Sequence, residues 1–421
     1  MTDPALAENP FRLNLDQQKK RAKELHRLTL AGDSAALARV AAQKEGSPRD
    51  PFRLADAQFV IARELGLASW PKLKAHVEEM TAARADMTGT VRAPLDSDMP
   101  TLHIRCGNDI EKVLPLAGFR GDFLEVSNPL AIGPVREGAD WLAARVGFLD
   151  GAFGAFDVPG SNLLYEVQEK LERAGETYRR AVLWFEHDSF DQLILIYVLS
   201  ILAEARAPLR LELATAGSFP GMQPFWGLGQ LPPEALRLLW ERRQTVTPAQ
   251  LSCAQEAFAA LRAPSPEALT RLAARGDLPL PFLARALRRH LAELPGAGDG
   301  LSLTQRFILE ILAEEERSAG RIFRALMLER EPLPWLGDLM FWVILKEMAA
   351  AATPPLTLSY ENEEDWPQAR AALTPAGEAV LAGTRDYLDL APPARWTGGV
   401  SIAPPAANWR WDRAREKLVA P

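Results

Sequence analysis

From residue 11 to 84, apolar residues recur every three or four positions, the spacing of helices that each bury one face. Leu25, Leu28 and Leu30 run into the turn Ala31-Gly32-Asp33-Ser34, where Asp33 or Ser34 is placed to cap a helix over 35–43. Leu54, Ala57, Val60, Ile61 and Leu65 share a face of the next helix, and Gly66 stops it. Ser69-Trp70-Pro71 then starts another that runs through Met80. Residues 85–99 lose the period and read as a linker. After it the pattern alternates. Leu102-His103-Ile104-Arg105 is a short strand that runs into Cys106-Gly107-Asn108-Asp109 and a helix over 110–117. A second strand is expected over 123–126, with helices near 139–148 and 162–174 behind it. A third, 181–185, feeds Glu186-His187-Asp188 and an apolar helix over 192–203; a fourth, 209–214, closes the set. Strands alternating with helices predict an α/β domain with a Rossmann-like, mostly parallel sheet covered by helices.

The remainder reads as helical, punctuated by Pro248, Pro264, Pro266, Pro279 and Pro281, with 296–300 as a glycine-rich hinge. Helices over 302–315, 318–328 and 337–350 precede a strand at 356–359, the order of a winged-helix-like domain. The expected segments are a helical lead-in (1–84), a linker (85–99), the α/β domain (100–220), a helical segment (221–298) and the winged-helix-like tail (299–421).

Composition narrows the function classes. A net charge of −7 disfavours a generic binder of nucleic acid or anionic membrane. Only Cys106 and Cys253 are present, so no disulfide framework is expected and a reducing, cytoplasmic setting fits. The N-terminus lacks the pattern of a signal peptide. The longest apolar run, residues 193–203, has 11 residues before Glu204 and falls short of a membrane span of about 20.

Candidate chemistry gathers at the carboxyl ends of the strands, where open parallel sheets bind their ligands. There stand Asn108 and Asp109 after the first strand, Asn128 with Gly133 and Pro134 after the second, and Glu186, His187, Asp188 and Asp191 after the third. His187, flanked by carboxylates, is expected to have a raised pKa and to act with Asp188 and Asp109 as acid or base. His103, Cys106, Gly107, Asn108, Asn128, Gly133, Glu186, Asp191 and Gln192 complete the expected ligand shell. The histidine and carboxylates also suit a divalent metal, although none is assigned, and the cofactor is left open. The competing reading is structural: Asp188 caps the following helix, and Asn108 or Asp109 the first one. Cys106 at a strand-to-helix turn is a weaker candidate for a thiolate nucleophile, opposed by nearby acids. No G-x-G-x-x-G, P-loop or G-x-S-x-G motif occurs.

The tail carries 13 Lys/Arg against 17 Asp/Glu over 301–421, and its third helix holds one basic residue, Lys346. Phosphate contacts dominate DNA affinity, so specific nucleic-acid binding is not expected. The one basic patch is Trp409-Arg410-Trp411-Asp412-Arg413 and the residues after it.

Several motifs together, HIRCGNDI, GFRGDFLEVSNPLAIGPV, LWFEHDSFDQL, GLGQLPPEAL, PFLARALRRHL, GLSLTQRFILEIL, WLGDLMFWVIL and RWTGGVSI, resemble the bacterial DUF1835 family over about residues 101–413. That resemblance implies no established activity. The chain departs from the family pattern at Asn108-Asp109, where an acidic pair is usual, at Asn128 in place of aspartate, and at Ser401 in place of histidine. LADAQFVIARELGLASWPKLKAHVE resembles the helical lead-in of ankyrin-repeat proteins without the repeats, and LTPAGEAVLAG looks like the wing-adjacent segment of MarR- and PadR-like regulators. The favoured expectation is binding of a small polar ligand at the strand ends, extended to hydrolase or transferase chemistry. The alternative is a non-catalytic regulator or adaptor that meets a protein partner through residues 11–84 or the tail.

Overall fold

A computed structural model describes residues 9–43, 51–88, 93–156 and 162–421. The chain is a mixed α/β protein that divides into two compact units, neither of them continuous in sequence. One comprises residues 1–101, 108–122 and 214–244; the other comprises 102–107, 123–213 and 245–421.

In the first unit, helices Leu15–Leu30, Ser34–Gln43 and Leu54–Glu64 close around Leu25, Val40, Val60 and Ile61. The Asp33 carboxylate caps the second of these, accepting from the Ala36 N–H at 2.9 Å. Helix Trp70–Thr88 runs farther than its sequence signal and buries Leu73, His76 and Met80. It packs on helix Pro233–Arg242, an element far away in sequence. Arg84 ion-pairs with Glu234 at 2.9 Å, and on the other side of helix Pro233–Arg242 the Phe119 and Trp240 rings meet at 4.9 Å. The stretch expected as a linker is partly built in. Asp96 is buried and accepts N–H bonds from Arg120 at 3.0 Å and Gly121 at 2.7 Å, while 89–92 lie outside the described residues.

The second unit holds nearly all of the five-stranded, mostly parallel sheet: β1 (Thr101–Arg105), β2 (Asp122–Glu125), β3 (Arg180–Phe185), β4 (Arg210–Thr215) and the short β5 (Gln244–Thr245). Their order is β2-β1-β3-β4-β5. The fifth strand was not expected from the sequence; two exposed polar residues carry no strand pattern. All residues of β1 and β3 are buried, as strands covered on both faces require. Helix Ser189–Leu202 is apolar on nearly every side because it is enclosed on nearly every side, with helices Pro248–Arg262 and Leu283–Leu291 against it.

The C-terminal part of this unit has helices Leu303–Glu314, Ala319–Ala325 and Asp338–Ala349 with an antiparallel sheet of β6 (Arg317–Ser318), β7 (Leu356–Ser359) and β8 (Arg370–Leu373) in the order β6-β8-β7. A hairpin of β9 (Arg395–Thr397) and β10 (Val400–Ile402) follows, then a second of β11 (Arg410–Asp412) and β12 (Lys417–Val419). The stretch 296–300 is no hinge. Gly296 N–H donates to the Leu301 carbonyl at 2.8 Å and Gly300 N–H to the Gly296 carbonyl at 3.0 Å. Asp299 within it takes Arg306 at 2.8 Å and Arg413 at 2.9 Å. The basic tail patch is neutralised in the same way, since Arg410 pairs with Asp386 at 2.6 Å and Arg415 with Asp412 at 2.8 Å. No helix among the described residues is long and apolar enough to cross a membrane.

Because helix Trp70–Thr88 covers helix Pro233–Arg242, deleting residues 1–90 is expected to expose apolar residues of that second helix and broaden the thermal transition. Calorimetry with a hydrophobic dye checks this; an unchanged, cooperative transition in the truncated chain would show that the lead-in is dispensable.

Candidate functional site

The strand order places the change of winding direction between β1 and β3, the position where sheets of this order open a crevice for a ligand. Here that position is filled by the chain itself. Arg105, the last residue of β1, donates to Asp191 at 2.6 Å and to Glu186. All three side chains are about 4 % exposed, so a guanidinium and two carboxylates are sealed from water together. Asp191 also accepts the Glu186 N–H at 2.7 Å and the Cys106 S–H at 2.9 Å. The Gln192 side-chain amide donates to the Glu186 carbonyl at 2.5 Å.

Asp188 is the cap of helix Ser189–Leu202, accepting from the Asp191 N–H at 3.0 Å. Its carboxyl is pushed well above the usual range by burial and then by the Asp191 charge. Burial likewise drives the Cys106 thiol up, so Cys106 is a buried hydrogen-bond donor and not a thiolate nucleophile. His103 accepts from the Trp184 indole N–H at 3.1 Å, deep inside the sheet. His187 turns out opposite to expectation. Burial lowers its pKa, Arg285 pushes the same way, and its ring stands edge-on to Phe282 at 6.1 Å. Neither flanking acid, Glu186 or Asp188, is among the causes; Asp191 raises it and is outweighed.

Oxygens of Glu186, Asp188 and Asp191 lie within 4.8 Å of one another, close enough for one ion to span. Arg105, however, already supplies the positive charge there, and both Asp191 oxygens are committed to donors. The cluster is built as an internal ion pair network. Asn108 and Asp109 are exposed in the first unit, and neither caps the helix, which begins at Val113 with Lys112 before it. Asp109 is packed instead against Gly229, where a Cβ would lie 2.6 Å from its carboxylate.

No protein-family model matches the chain, and no curated protein matches it.

An open cavity lies elsewhere in the second unit, beyond the carboxyl end of β2. Its volume is ≈ 80 Å³, below the range of about 300–1,000 Å³ usual for drug-sized ligands, so it suits only a small molecule. One wall is the loop of Ala131, Ile132 and Gly133; the others carry Phe148, Glu347, Arg395 and Trp396. Asn128 shapes this loop from behind. Its side-chain oxygen accepts from Arg145 at 2.9 Å, while Arg145 donates to the Ile132 carbonyl at 2.6 Å and the Pro129 carbonyl at 3.1 Å. Arg145 is fully buried without a carboxylate partner among the described residues, and burial lowers its pKa to about 9. Gly133 has φ +70°, and a Cβ there would fall 2.4 Å from the Phe148 ring, so glycine is required at this wall. The opposite wall is tied on by the β9–β10 turn, where the Gly398 carbonyl accepts from the Val135 N–H at 2.9 Å.

Of the expected residues, then, Gly133 lines the cavity and Asn128 supports it, while Cys106, Glu186, Asp188, Asp191 and Gln192 belong to the sealed network and His103 is bonded to Trp184 within the sheet. Gly107 is half-buried at the end of β1. Glu347 and Arg395 were missed. Glu347 interrupts the apolar run of helix Asp338–Ala349 three and four positions after buried Ile344 and Val343, so it shares their inward face. That was a readable signal. Burial raises its pKa to about 7.

The sealed network makes two substitutions diverge. Arg105→Met strips Glu186 and Asp191 of their cation and is expected to cost about 3–5 kcal/mol in urea denaturation. Asp188→Asn keeps the cap and is isosteric with the protonated carboxyl. A carboxyl whose folded pKa is raised stabilises below its unfolded value and loses that contribution as pH rises through the folded value. Asp188→Asn is therefore expected to gain on wild type as pH rises above the ordinary carboxyl range. Equal losses in both variants would contradict this account.

Proposed function

We propose that this chain binds a small polar organic molecule in the cavity beyond β2, and that the acidic cluster at β3 is the frame behind that site and not the site itself. The observation that carries this reading is the pair Glu347 and Arg395. Both face the same cavity, yet they do not pair with each other, and neither meets an oppositely charged side chain within 4.0 Å among the described residues. Half-buried ionisable groups without a counter-charge leave another molecule to supply one. Acid–base chemistry, in a hydrolase or transferase reading, falls to Glu347, whose pKa near 7 suits it. His187, whose pKa is lowered by burial, does not line this cavity.

The DUF1835 resemblance is compatible with this proposal and adds no activity to it. The adaptor reading draws on the tail, whose three helices and small sheet are winged-helix-like. Its third helix buries Phe341, Trp342 and Leu345, and Lys346 is paired with Glu363 at 2.8 Å. A helix engaged in this way is a poor DNA reader, which favours protein contacts over nucleic acid for that alternative.

The test is a thermal-shift screen of small polar compounds on wild type, Arg395→Ala, His187→Ala and Asp109→Asn. A compound at 100 times its Kd stabilises by about 2.7 kcal/mol. Hits are expected to survive His187→Ala and Asp109→Asn and to vanish in Arg395→Ala. Hits that Arg395→Ala retains but His187→Ala loses would return the site to the strand ends of β3.

A further inference from the structure

The cavity contains three titratable side chains, Glu293, Glu347 and Arg395. Glu293 is already spent. Its carboxylate accepts from Arg289 at 2.6 Å and from the Thr304 hydroxyl at 2.7 Å. Arg395 uses one N–H on the Thr397 hydroxyl at 3.1 Å and one on the Glu293 carbonyl at 2.9 Å. A guanidinium carries five N–H donors, so most of its donor capacity is left for something else. The buried Tyr387 hydroxyl has no hydrogen-bond partner among the described residues, and it senses the charges of both Arg395 and Glu347. Lys346, the nearest cation on the Glu347 helix, is turned to Glu363. Phe148 and Trp396 supply flat apolar walls.

We propose that the ligand is a small planar carboxylic acid, bound as its anion on Arg395, and that Glu347 takes up a proton when it binds. This rests on the cavity reading above and specifies its ligand. The carboxylate matches the planar donor fork of Arg395, and the Phe148 and Trp396 rings that line the same cavity favour a small, flat apolar body. A second carboxylate in the same cavity repels the incoming one, so the competent state is the one in which Glu347 is neutral and donates its O–H to the ligand. The proton comes from solvent and stays on Glu347 while the ligand is bound; no covalent bond changes. The raised pKa of Glu347, about 7, means that this proton is available near neutrality. Binding then weakens as pH rises, because an ever smaller fraction of the protein is competent.

The probe is benzoate, with benzamide and inorganic phosphate as controls, titrated calorimetrically into the full chain at pH 6, 7 and 8. Benzoate is expected to bind about tenfold more weakly at pH 8 than at pH 6. Proton uptake should appear as a dependence of the heat on buffer ionisation enthalpy. Glu347→Gln, which mimics the neutral acid, should bind benzoate at pH 8 as wild type does at pH 6. Arg395→Ala should abolish binding, and Arg395→Lys, which keeps the charge, guards against a variant that merely misfolds. Should benzoate bind through Arg395 with the same pH profile in wild type and Glu347→Gln, the proton coupling is overturned while the cavity stands. Benzamide or phosphate binding as well as benzoate overturns the carboxylate assignment. If no compound of the three binds wild type at any pH, this inference is overturned, and the cavity reading is then decided by the broader thermal-shift screen.

Discussion

A guanidinium closed off from water between two carboxylates sets the terms for the second unit. Arg105 ends β1, Glu186 follows β3, and Asp191 lies in the first turn of the helix after it, so one group of ion pairs fastens two strands and a helix where their winding direction changes. Removing three charges from water is costly, and the arrangement holds because most of the carboxylate oxygens have a donor: Arg105 itself, the Glu186 N–H and the Cys106 thiol. Such a network stabilises less than it specifies. It permits one register of β1 against β3, since a slip of one residue would leave Arg105 facing the opposite side of the sheet.

Closing the switch point in this way moves the available space sideways. The loop after β2 is held open by a second buried arginine, Arg145, which grips Asn128 and two backbone carbonyls. The β9–β10 hairpin meets that loop through Val135 and Gly398, and Gly399 lets its turn lie against helix Pro248–Arg262, where a Cβ would come within 2.1 Å of the Arg262 carbonyl. The cavity between them is thus assembled from pieces about 250 residues apart in the chain. The two ionisable groups there that have no ion-pair partner among the described residues come from different elements, Glu347 from a helix and Arg395 from a hairpin strand.

The alternation of strands and helices over 101–215 was legible, because buried parallel strands and their covering helices write distinct periods into the sequence. The cap at Asp188 was legible too, as was the polar character of the β3 end. The direction of the His187 pKa was not. Sequence neighbours suggested two flanking acids, but Asp188 turns inward to its helix, and the ring sees chiefly desolvation and Arg285. Nor was β5 legible, since two exposed residues pair only because β4 is already in place.

The sequence by itself determined the local elements, their class and the placement of polar residues at strand ends, because periodicity, caps and glycines act over a few neighbouring residues. Only the tertiary structure decided which of those polar residues pair off and which remain open to a ligand. That decision depends on charges brought together across long separations, Arg105 to Asp191 and Glu347 toward Arg395. Whether a carboxylate meets a guanidinium or a cavity depends on distance and burial in space, and neither is written in the local pattern of a chain.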